Sequence, residues 1–308
     1  MTGDVPEEVR ALAAERDAAR RGKDFQTADA LRERIGQAGF EVTDTAEGTK
    51  LTPRRPGSSG GRSAGPAQLG ASTSSLAEPP RHAASVQWVV QGWPEDAIRG
   101  MESVRQTTSG DVQQVVVDAA GLLDQEWPAG AEVIRVPPES GWAAARNAGL
   151  QRAAGEIVVL VDGSVEATGD LLEPLAEALR DPTVGVTGPF GIVTQDLREF
   201  VSSEGPEVDA VEGYLMAFRR ELVEQGLRFD EKFKFYRSAD IELSFQIKAM
   251  GLRATVAPVP VVRHEHRMWA NTPQERRDQL SKRNHYRFLD RWRGRSDLLV
   301  KPKQTRGP

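Results

Sequence analysis

Two aspartates stand directly after predicted strands, and this placement makes them candidates for chemistry. Asp118 follows the run Val115–Val117, and Asp162 follows the run Val158–Val161. A carboxylate at a strand end can accept hydrogen bonds from a nucleobase or ribose, and a second one can hold a divalent cation that bridges phosphate oxygens. Ligands of parallel α/β sheets bind beyond the carboxyl ends of the strands. The two positions therefore predict a nucleotide and metal site, although either aspartate could simply begin a turn.

A Gly/Ala-rich run from Gly141 to Gly149 lies between these two strands and predicts the start of a helix. Its small residues would let a ligand or another backbone segment come close. Arg146 in this run could face a diphosphate, because guanidinium groups match phosphate geometry. Its neighbour Asn147 is counted with it among the candidate donor-binding residues.

The elements that must position these residues begin at residue 85. From there to residue 296, short β-rich runs alternate with amphipathic helical stretches. This alternation predicts an α/β domain, Rossmann-like, with a mostly parallel sheet and helices on both faces. Residues 1–53 predict a separate small module of two helices and a hairpin. Residues 54–84, rich in Pro, Gly and Ser, predict a flexible linker.

The composition excludes several classes of site. The chain has 308 residues and no cysteine, so disulfides, thiolate zinc sites and cysteine nucleophiles are absent. The N-terminal stretch is charged throughout, and no apolar run approaches the ~20 residues that a membrane helix needs. These features favour a cytoplasmic protein. The net charge of −5 gives no overall excess of the kind that nucleic-acid binding favours.

Three stretches together resemble the family 2 glycosyltransferases, which have the GT-A fold. Asn147–Leu179 is similar to the donor-site core of that family, Val208–Gly251 to its acceptor side, and Val256–His266 to the strand and histidine that end its catalytic core. The resemblance implies inverting sugar transfer from a nucleotide-diphosphate donor, with Mg²⁺ or Mn²⁺ as cofactor. The acceptor would be an unidentified glycan, lipid-linked or small molecule.

The resemblance also implies roles for particular residues. Asp118 would contact the base or ribose, and Asp162 opens the segment that holds the family's DxD metal motif. Gly213 would let the donor sugar lie against the backbone, and Asp240 would be the general base. His264 would reach the metal or the diphosphate. Simpler structural roles are also open: Asp240 as a helix N-cap, His264 as a surface histidine at a strand end.

Two departures from the family pattern leave the activity open. Ser164 stands where the DxD motif has its second carboxylate, and Ala239 stands where the acidic motif before Asp240 usually has glutamate. Hard cations prefer charged oxygen ligands, so the serine weakens the expected metal site. The chain is interpreted either as an active transferase or as a catalytically degenerate protein that still binds a nucleotide sugar.

The N-terminal module resembles the C-terminal, anticodon-binding module of cysteinyl-tRNA synthetases. The residues that carry this resemblance include Glu15–Arg20, Lys23–Phe25 and Ala28–Arg32. It implies a possible RNA contact and hence an RNA-associated adaptor. Residues 1–55 hold 10 Lys/Arg against 11 Asp/Glu. This balance favours RNA binding only weakly, because such binding depends on phosphate neutralisation.

Residues 271–308 are strongly basic, with 11 Lys/Arg against 4 Asp/Glu. Phe288 and Trp292 lie among the basic residues and predict an amphipathic helix, followed by a basic tail at 297–308. Such a helix could lie on an anionic membrane. Alternatively, its aromatic side packs on the core while its arginines face solvent, and this second interpretation is preferred.

Overall fold

The computed structural model describes residues 5–21, 27, 31, 34–35, 38, 40–45, 48–53 and 74–300. The chain divides into two compact units, residues 1–65 and residues 66–308. Among the helices described, none combines the length and hydrophobicity that a membrane crossing requires.

The smaller unit contains a helix and a hairpin, as its sequence predicts. The elements are α1 (Glu7–Arg21), β1 (Phe40–Thr45) and β2 (Gly48–Pro53), and the two strands pair antiparallel. Most of the predicted second helix lies outside the described residues. The side chains that form the core of this unit are Val9, Ala13, Ile35 and Val42.

The larger unit is built on an eight-stranded sheet with two smaller sheets beside it. Its strands are β3 (His82–Val90), β4 (Val112–Asp118), β5 (Glu132–Arg135), β6 (Gly155–Val161), β7 (Val165–Ala167), β8 (Val184–Gly188), β9 (Gly191–Thr194), β10 (Phe200–Ser203), β11 (Glu207–Val208), β12 (Ala210–Val211), β13 (Leu215–Arg219), β14 (Arg253–Val256) and β15 (Val261–Arg263).

The large sheet is mostly parallel, which confirms the predicted α/β class. Its strand order is β11-β14-β8-β13-β6-β3-β4-β5. β13 runs antiparallel to both β6 and β8, and β11 runs antiparallel to β14, whereas the other neighbouring pairs are parallel. The carboxyl ends of β3, β4 and β6 therefore lie along one edge, and the amino end of β13 joins them there.

Helices cover the sheet on both faces. Those of the larger unit are α2 (Pro94–Thr107), α3 (Trp142–Arg152), α4 (Leu172–Leu179), α5 (Arg220–Glu224), α6 (Ala239–Ala249), α7 (Arg267–Asn271) and α8 (Gln274–Trp292). Alternate residues of the central strands enter different cores: Val158 and Leu160 of β6 pack in one, while Val159 and Val161 pack in the other. Burial on both faces explains why these strands are continuous apolar runs.

The basic C-terminal helix packs on the domain through one side. Asn284, Phe288 and Trp292 recur every four residues on α8 and are its buried side chains. This finding agrees with the preferred interpretation of the sequence, because the aromatic side is covered by the core and is not offered to a membrane.

The ordered ends of the larger unit extend further than the sequence indicates. The residues of the predicted linker from 54 to 73 lie outside the described part. However, the Ser75 N–H donates to the Gln151 carbonyl at 2.7 Å, and Arg220 donates to the Ser75 carbonyl at 2.8 Å. β3 also begins at His82 rather than near residue 85. At the other end, the Val300 N–H donates to Asp209 Oδ1 at 2.6 Å, inside the predicted tail.

We expect Phe288→Ala to lower the free energy of unfolding of the larger unit by about 3–5 kcal/mol, the usual cost of truncating a buried phenylalanine. The Phe288 side chain is fully buried and packs edge-on against Phe245, with ring centroids 5.1 Å apart. All six tryptophans of the chain lie in this unit, so urea unfolding followed by tryptophan fluorescence reports its stability.

The matched control is Tyr286→Ala, two positions away on the same helix, where the side chain is 56% exposed. It should change the stability by no more than about 0.5 kcal/mol. Similar losses in both variants would contradict the packing of this helix on the core.

Candidate active site

The end of β6 and the start of β13 fix the first part of the candidate site. Leu215 pairs with Val161, the last residue of β6. One position further on, the Asp162 N–H donates to the Tyr214 carbonyl at 2.8 Å. The antiparallel ladder thus holds Asp162 beside the segment that contains Gly213. Two of the sequence-predicted residues, about fifty positions apart in the chain, lie together for this reason.

Asp240 joins them from the first turn of α6. The Gly213 N–H donates to Asp240 Oδ2 at 2.8 Å. A Cβ atom at position 213 would lie 2.7 Å from the Cβ of Asp240, so only glycine fits without displacing the carboxylate. The alternative role of Asp240, as the N-cap of this helix, is found in altered form. The helix cap is Ser238, and Asp240 Oδ1 instead accepts from the N–H of Ile241 at 3.0 Å.

The environment of Asp240 suits a base. Burial raises the pKa of its carboxyl above the usual aspartate value, and the N–H groups of Gly213 and Ile241 offset that effect only in part. A raised pKa makes the carboxylate a stronger proton acceptor.

Asp162 has a histidine partner, but it is not the one predicted. His266 Nε2 lies 3.0 Å from Asp162 Oδ2, whereas His264 Nε2 lies 2.7 Å from Glu166 Oε2. The reach of His264 to a metal therefore stays a prediction, and in this structure its imidazole lies against Glu166 instead. In a strand, residues two apart point to the same face. Both histidines follow β15, which ends at Arg263, so their side chains are not bound by that rule and have different partners.

The hydrogen bonds of His266 identify the proton on its ring. The residue is the N-cap of α7, and its Nδ1 accepts from the Trp269 N–H at 3.2 Å. Nδ1 is consequently unprotonated, and Nε2 carries the hydrogen that is donated to Asp162. Burial acts to raise the pKa of Asp162, but the hydrogen bond from His266, together with that from the Ser164 N–H, outweighs it and holds that pKa at about 2.

A pair of ion contacts anchors α7 over this edge of the sheet. Arg267 donates to both carboxylate oxygens of Asp96, each at 2.7 Å, and lies 2.8 Å from Glu95 Oε1. Asp96 also accepts from Arg99, whose other nitrogen donates to the Gly163 carbonyl at 3.2 Å. Sequence reasoning missed Asp96 and Arg267, because no spacing rule relates an acid at one helix start to an arginine 171 positions later.

Asp118 does not face the site. Its side chain is fully buried, Oδ1 accepts from the N–H groups of Ala120 and Gly121 at 2.9 and 3.0 Å, and Oδ2 accepts from Leu122 at 2.9 Å. The contact with a base or ribose stays a prediction. The alternative interpretation, a residue that shapes the turn after its strand, describes what the carboxylate does.

Arg146 and Asn147 also hold the protein together rather than a donor. Arg146 is 1% exposed, and its guanidinium donates to the Gln87 carbonyl at 2.9 Å and to the Val161 carbonyl at 3.0 Å. The Asn147 side chain exchanges hydrogen bonds with the backbone of Phe229, both at 2.9 Å. Their binding of the donor diphosphate stays a prediction, because in this structure most of their polar atoms are engaged within the protein, although Arg146 Nε has no hydrogen-bond partner among the described residues.

Tyr236 is a further site residue that the sequence did not reveal. Its ring centroid lies 4.7 Å from that of His266. Burial, with the charges of Asp162 and Asp240 adding to it against the opposing effect of Arg237, raises the pKa of its phenol above the usual value. The hydroxyl is therefore neutral at physiological pH and remains a hydrogen-bond donor.

The structure also tests whether a cation could be held here. In residues 74–300 and the other described stretches, no three histidine or acidic side chains form a cluster that could hold a metal ion. Two suitable ligands are nevertheless adjacent, the Asp162 carboxylate and the His266 imidazole. The Ser164 hydroxyl beside them is buried without a hydrogen-bond partner.

Comparison with family models divides the chain in the same way as its fold. Residues 101–242 match the model of Glycosyl transferase family 2, and residues 2–50 match that of the Cysteinyl-tRNA ligase anticodon binding domain.

In the smaller unit, Arg16 is 2% exposed and donates to Thr49 Oγ1 at 2.8 Å. This arginine is therefore engaged within its own module.

Curated relatives match only the N-terminal part. The cysteine–tRNA ligase of Opitutus terrae is 50% identical over 52 residues, which are 17% of this chain and 11% of that protein. Cysteine–tRNA ligase 1 of Burkholderia lata is 52% identical over 48 residues, 16% of this chain and 10% of that protein. The chain thus spans only about a tenth of the length of these relatives.

Solved structures resemble the larger unit. The structure of GalNAc-T7 with UDP, GalNAc and Mn²⁺ superposes with a TM-score of 0.57 and 18% identity, covering 70% of this chain and 50% of that one. The mannosyltransferase PcManGT from Pyrobaculum calidifontis, in complex with GDP-Man and Mn²⁺, gives a TM-score of 0.50 and 21% identity, covering 72% and 70%. At such identities the likeness establishes the fold, and the predicted GT-A-type architecture is confirmed.

We expect Arg146→Lys to lower the free energy of unfolding by about 2–4 kcal/mol, because a lysine cannot replace the hydrogen bonds of a buried guanidinium. Urea unfolding measures the change, and Arg105→Lys, at an exposed position of α2, is the control. Unchanged stability combined with weaker binding of a nucleoside diphosphate would return Arg146 to the donor site.

Proposed function

We propose that this chain, which carries a family 2 glycosyltransferase domain, transfers a sugar from a nucleoside-diphosphate donor to an acceptor hydroxyl with inversion. The observation that carries this proposal is the convergence of Asp162, Gly213, Asp240 and His266 at one edge of the sheet. It supplies a half-buried carboxylate as the base, a backbone position without a side chain, and two adjacent side chains of the types that hold a divalent cation.

Asp240 acts as the base in this proposal. It takes the proton from the acceptor hydroxyl while the oxygen attacks the anomeric carbon and the nucleoside diphosphate departs. A single displacement of this kind inverts the anomeric configuration. Gly213 keeps the space in front of the carboxylate free for the sugar, since any larger residue would meet Asp240. The raised pKa of Asp240 favours proton transfer to it.

A divalent cation would be held by Asp162 and His266, and it would stabilise the charge of the departing diphosphate. The two residues fit the cation in ligand type, and Asp162 is ionised at neutral pH because its pKa is about 2. His266 can offer Nε2 as a ligand only after its proton leaves that atom. With the proton on Nδ1, the ring could no longer accept from Trp269, so cation binding is coupled to the cap of α7. The Mn²⁺ in both similar structures supports this assignment.

The alternative that the domain is a degenerate nucleotide-sugar binder rests on Ser164 and Ala239. An RNA contact by the N-terminal module stays a separate prediction. The donor titration below distinguishes a functional donor site from a retained fold, and turnover distinguishes an enzyme from a binding protein.

We expect UDP or GDP to bind the intact chain more tightly with Mn²⁺ than without it, as measured by isothermal titration calorimetry. Slow release of free sugar from the matching nucleotide sugar should accompany binding. Asp240→Asn should lower that release by about 100-fold or more, because the base is removed, while nucleotide affinity stays similar.

Asp124→Asn provides the charge-matched control, since Asp124 is exposed and distant in sequence from the site. Undiminished turnover in Asp240→Asn would end the base assignment. Absence of nucleotide binding with and without Mn²⁺ would end the proposed function itself.

The rate should also depend on pH in a way set by Asp240. Only the ionised carboxylate accepts a proton, so kcat/KM should fall as the pH drops through the raised pKa of Asp240. The acid limb should therefore lie above the ordinary aspartate value of about 3.9. Nucleotide binding measured over the same range controls for loss of the donor. A limb at or below that ordinary value would contradict the burial of the base.

A further inference from the structure

Arg237 is an exposed cation that stands three residues before Asp240. Its charge acts to lower the pKa values of Asp240, Glu212 and Tyr236, which places it close to all three. Within the part of the chain that the structure describes, no carboxylate lies within ion-pair distance of its guanidinium. Nearby Arg263, by contrast, has a carboxylate partner, Glu212, at 3.2 Å. Arg237 thus brings positive charge to the proposed base without being held in a direct ion pair among the described residues.

A second guanidinium lies on the same tryptophan. The Cζ atom of Arg237 is 5.2 Å from the ring centroid of Trp269, and that of Arg277 is 4.7 Å from it. Arg277 donates to the Trp269 carbonyl at 3.3 Å, and its Nε is buried without a hydrogen-bond partner. Attraction to an aromatic face supports each cation separately, but two like charges on one ring repel each other. An anion that contacted both guanidinium groups would offset that repulsion.

The protein fixes this arginine pair in place. Asn284, which is 2% exposed, donates to the carbonyls of Phe235 at 2.7 Å and Arg237 at 2.9 Å. On the other side, Trp269 donates its N–H to His266. The backbone at Arg237 is therefore held by α8, the helix that carries Arg277. Trp269, which both arginines contact, is held by His266 of the proposed cation site.

We propose that Arg237 and Arg277 bind a phosphate group on the acceptor, and so hold the acceptor hydroxyl next to Asp240. This inference rests on the proposed function. Planar guanidinium groups bind phosphate oxygens through paired, charge-assisted hydrogen bonds, whereas a neutral glycan would leave both charges unmatched. The phosphate belongs either to a free phosphorylated compound or to a lipid-linked one, and the two sources share the same chemistry at the site.

The test is binding of glycerol 3-phosphate to the full chain saturated with Mn²⁺ and the nucleoside diphosphate that it binds. Calorimetry should detect glycerol 3-phosphate and not glycerol. Arg237→Gln and Arg277→Gln should each weaken the binding by about tenfold, the effect of losing a charge-assisted hydrogen bond. Arg283→Gln, which removes an exposed cation from the same helix, is the charge-matched control and should bind like the unaltered chain.

Vesicles separate the two sources. A lipid-linked phosphate would be identified if the chain sediments with phosphatidylcholine vesicles only when they contain phosphatidic acid. Arg237→Gln, but not Arg283→Gln, should abolish that sedimentation. Binding of glycerol 3-phosphate without vesicle retention would identify a free one.

Three outcomes overturn the inference. The nucleotide-loaded chain fails to bind glycerol 3-phosphate, or the arginine variants bind it as tightly as the control, or it merely competes with the nucleotide. The last result would assign the arginines to the donor diphosphate. If no nucleotide binds at all, the proposed function falls and the acceptor role falls with it, whereas nucleotide binding without phosphate binding refutes the acceptor role alone.

Discussion

The antiparallel strand β13, inserted between two strands that run the opposite way, is the constraint on which the candidate site depends. Its pairing with β6 sets Leu215 opposite Val161, and the next backbone hydrogen bond joins Asp162 to Tyr214. A fully parallel sheet would send the segment before this strand to the opposite edge. The single reversal places Gly213 at the edge where the parallel strands end, and Asp240 follows because it accepts from the Gly213 N–H.

Helices α7 and α8 then position the segments around Asp240 that the sheet itself does not contact. α8 contributes Asn284, whose amide hydrogens satisfy two carbonyls in the segment before Asp240, and Phe288, which anchors the helix in the core. α7 is tied down through Arg267 and Asp96. A carboxylate partly removed from water is costly unless its surroundings are rigid and polar, and these contacts hold the segments around the half-buried Asp240 in place.

Sequence patterns reached the fold and part of the site, and the division has a physical basis. Continuous apolar runs such as Val158–Val161 identify strands buried on both faces and place Asp162 at a strand end, whereas Gly213 and Asp240 are identified only through the family resemblance. The orientation of a side chain cannot be read this way. Asp118 and Arg146 stand at the expected places but point inward, because their polar groups satisfy backbone atoms of a tight turn and of two strand ends. His264 and His266 both follow the end of β15, and no sequence pattern shows that His266 rather than His264 lies beside Asp162.

The two missing carboxylates need not mean a lost activity, because the structure gives each absence a local reason. Ala239 is 1% exposed and lies in the same core as Leu243 and Phe245. A glutamate there would place a charge among apolar side chains, so alanine is the residue that this packing accepts. At the other position, Ser164 is buried, and the negative charge of Asp162 is met by the imidazole of His266. In the proposed cation site, the His266 imidazole would supply the ligand that the DxD segment lacks. Neither substitution disturbs the contact between Gly213 and Asp240, since the Gly213 N–H donates to the Asp240 carboxylate.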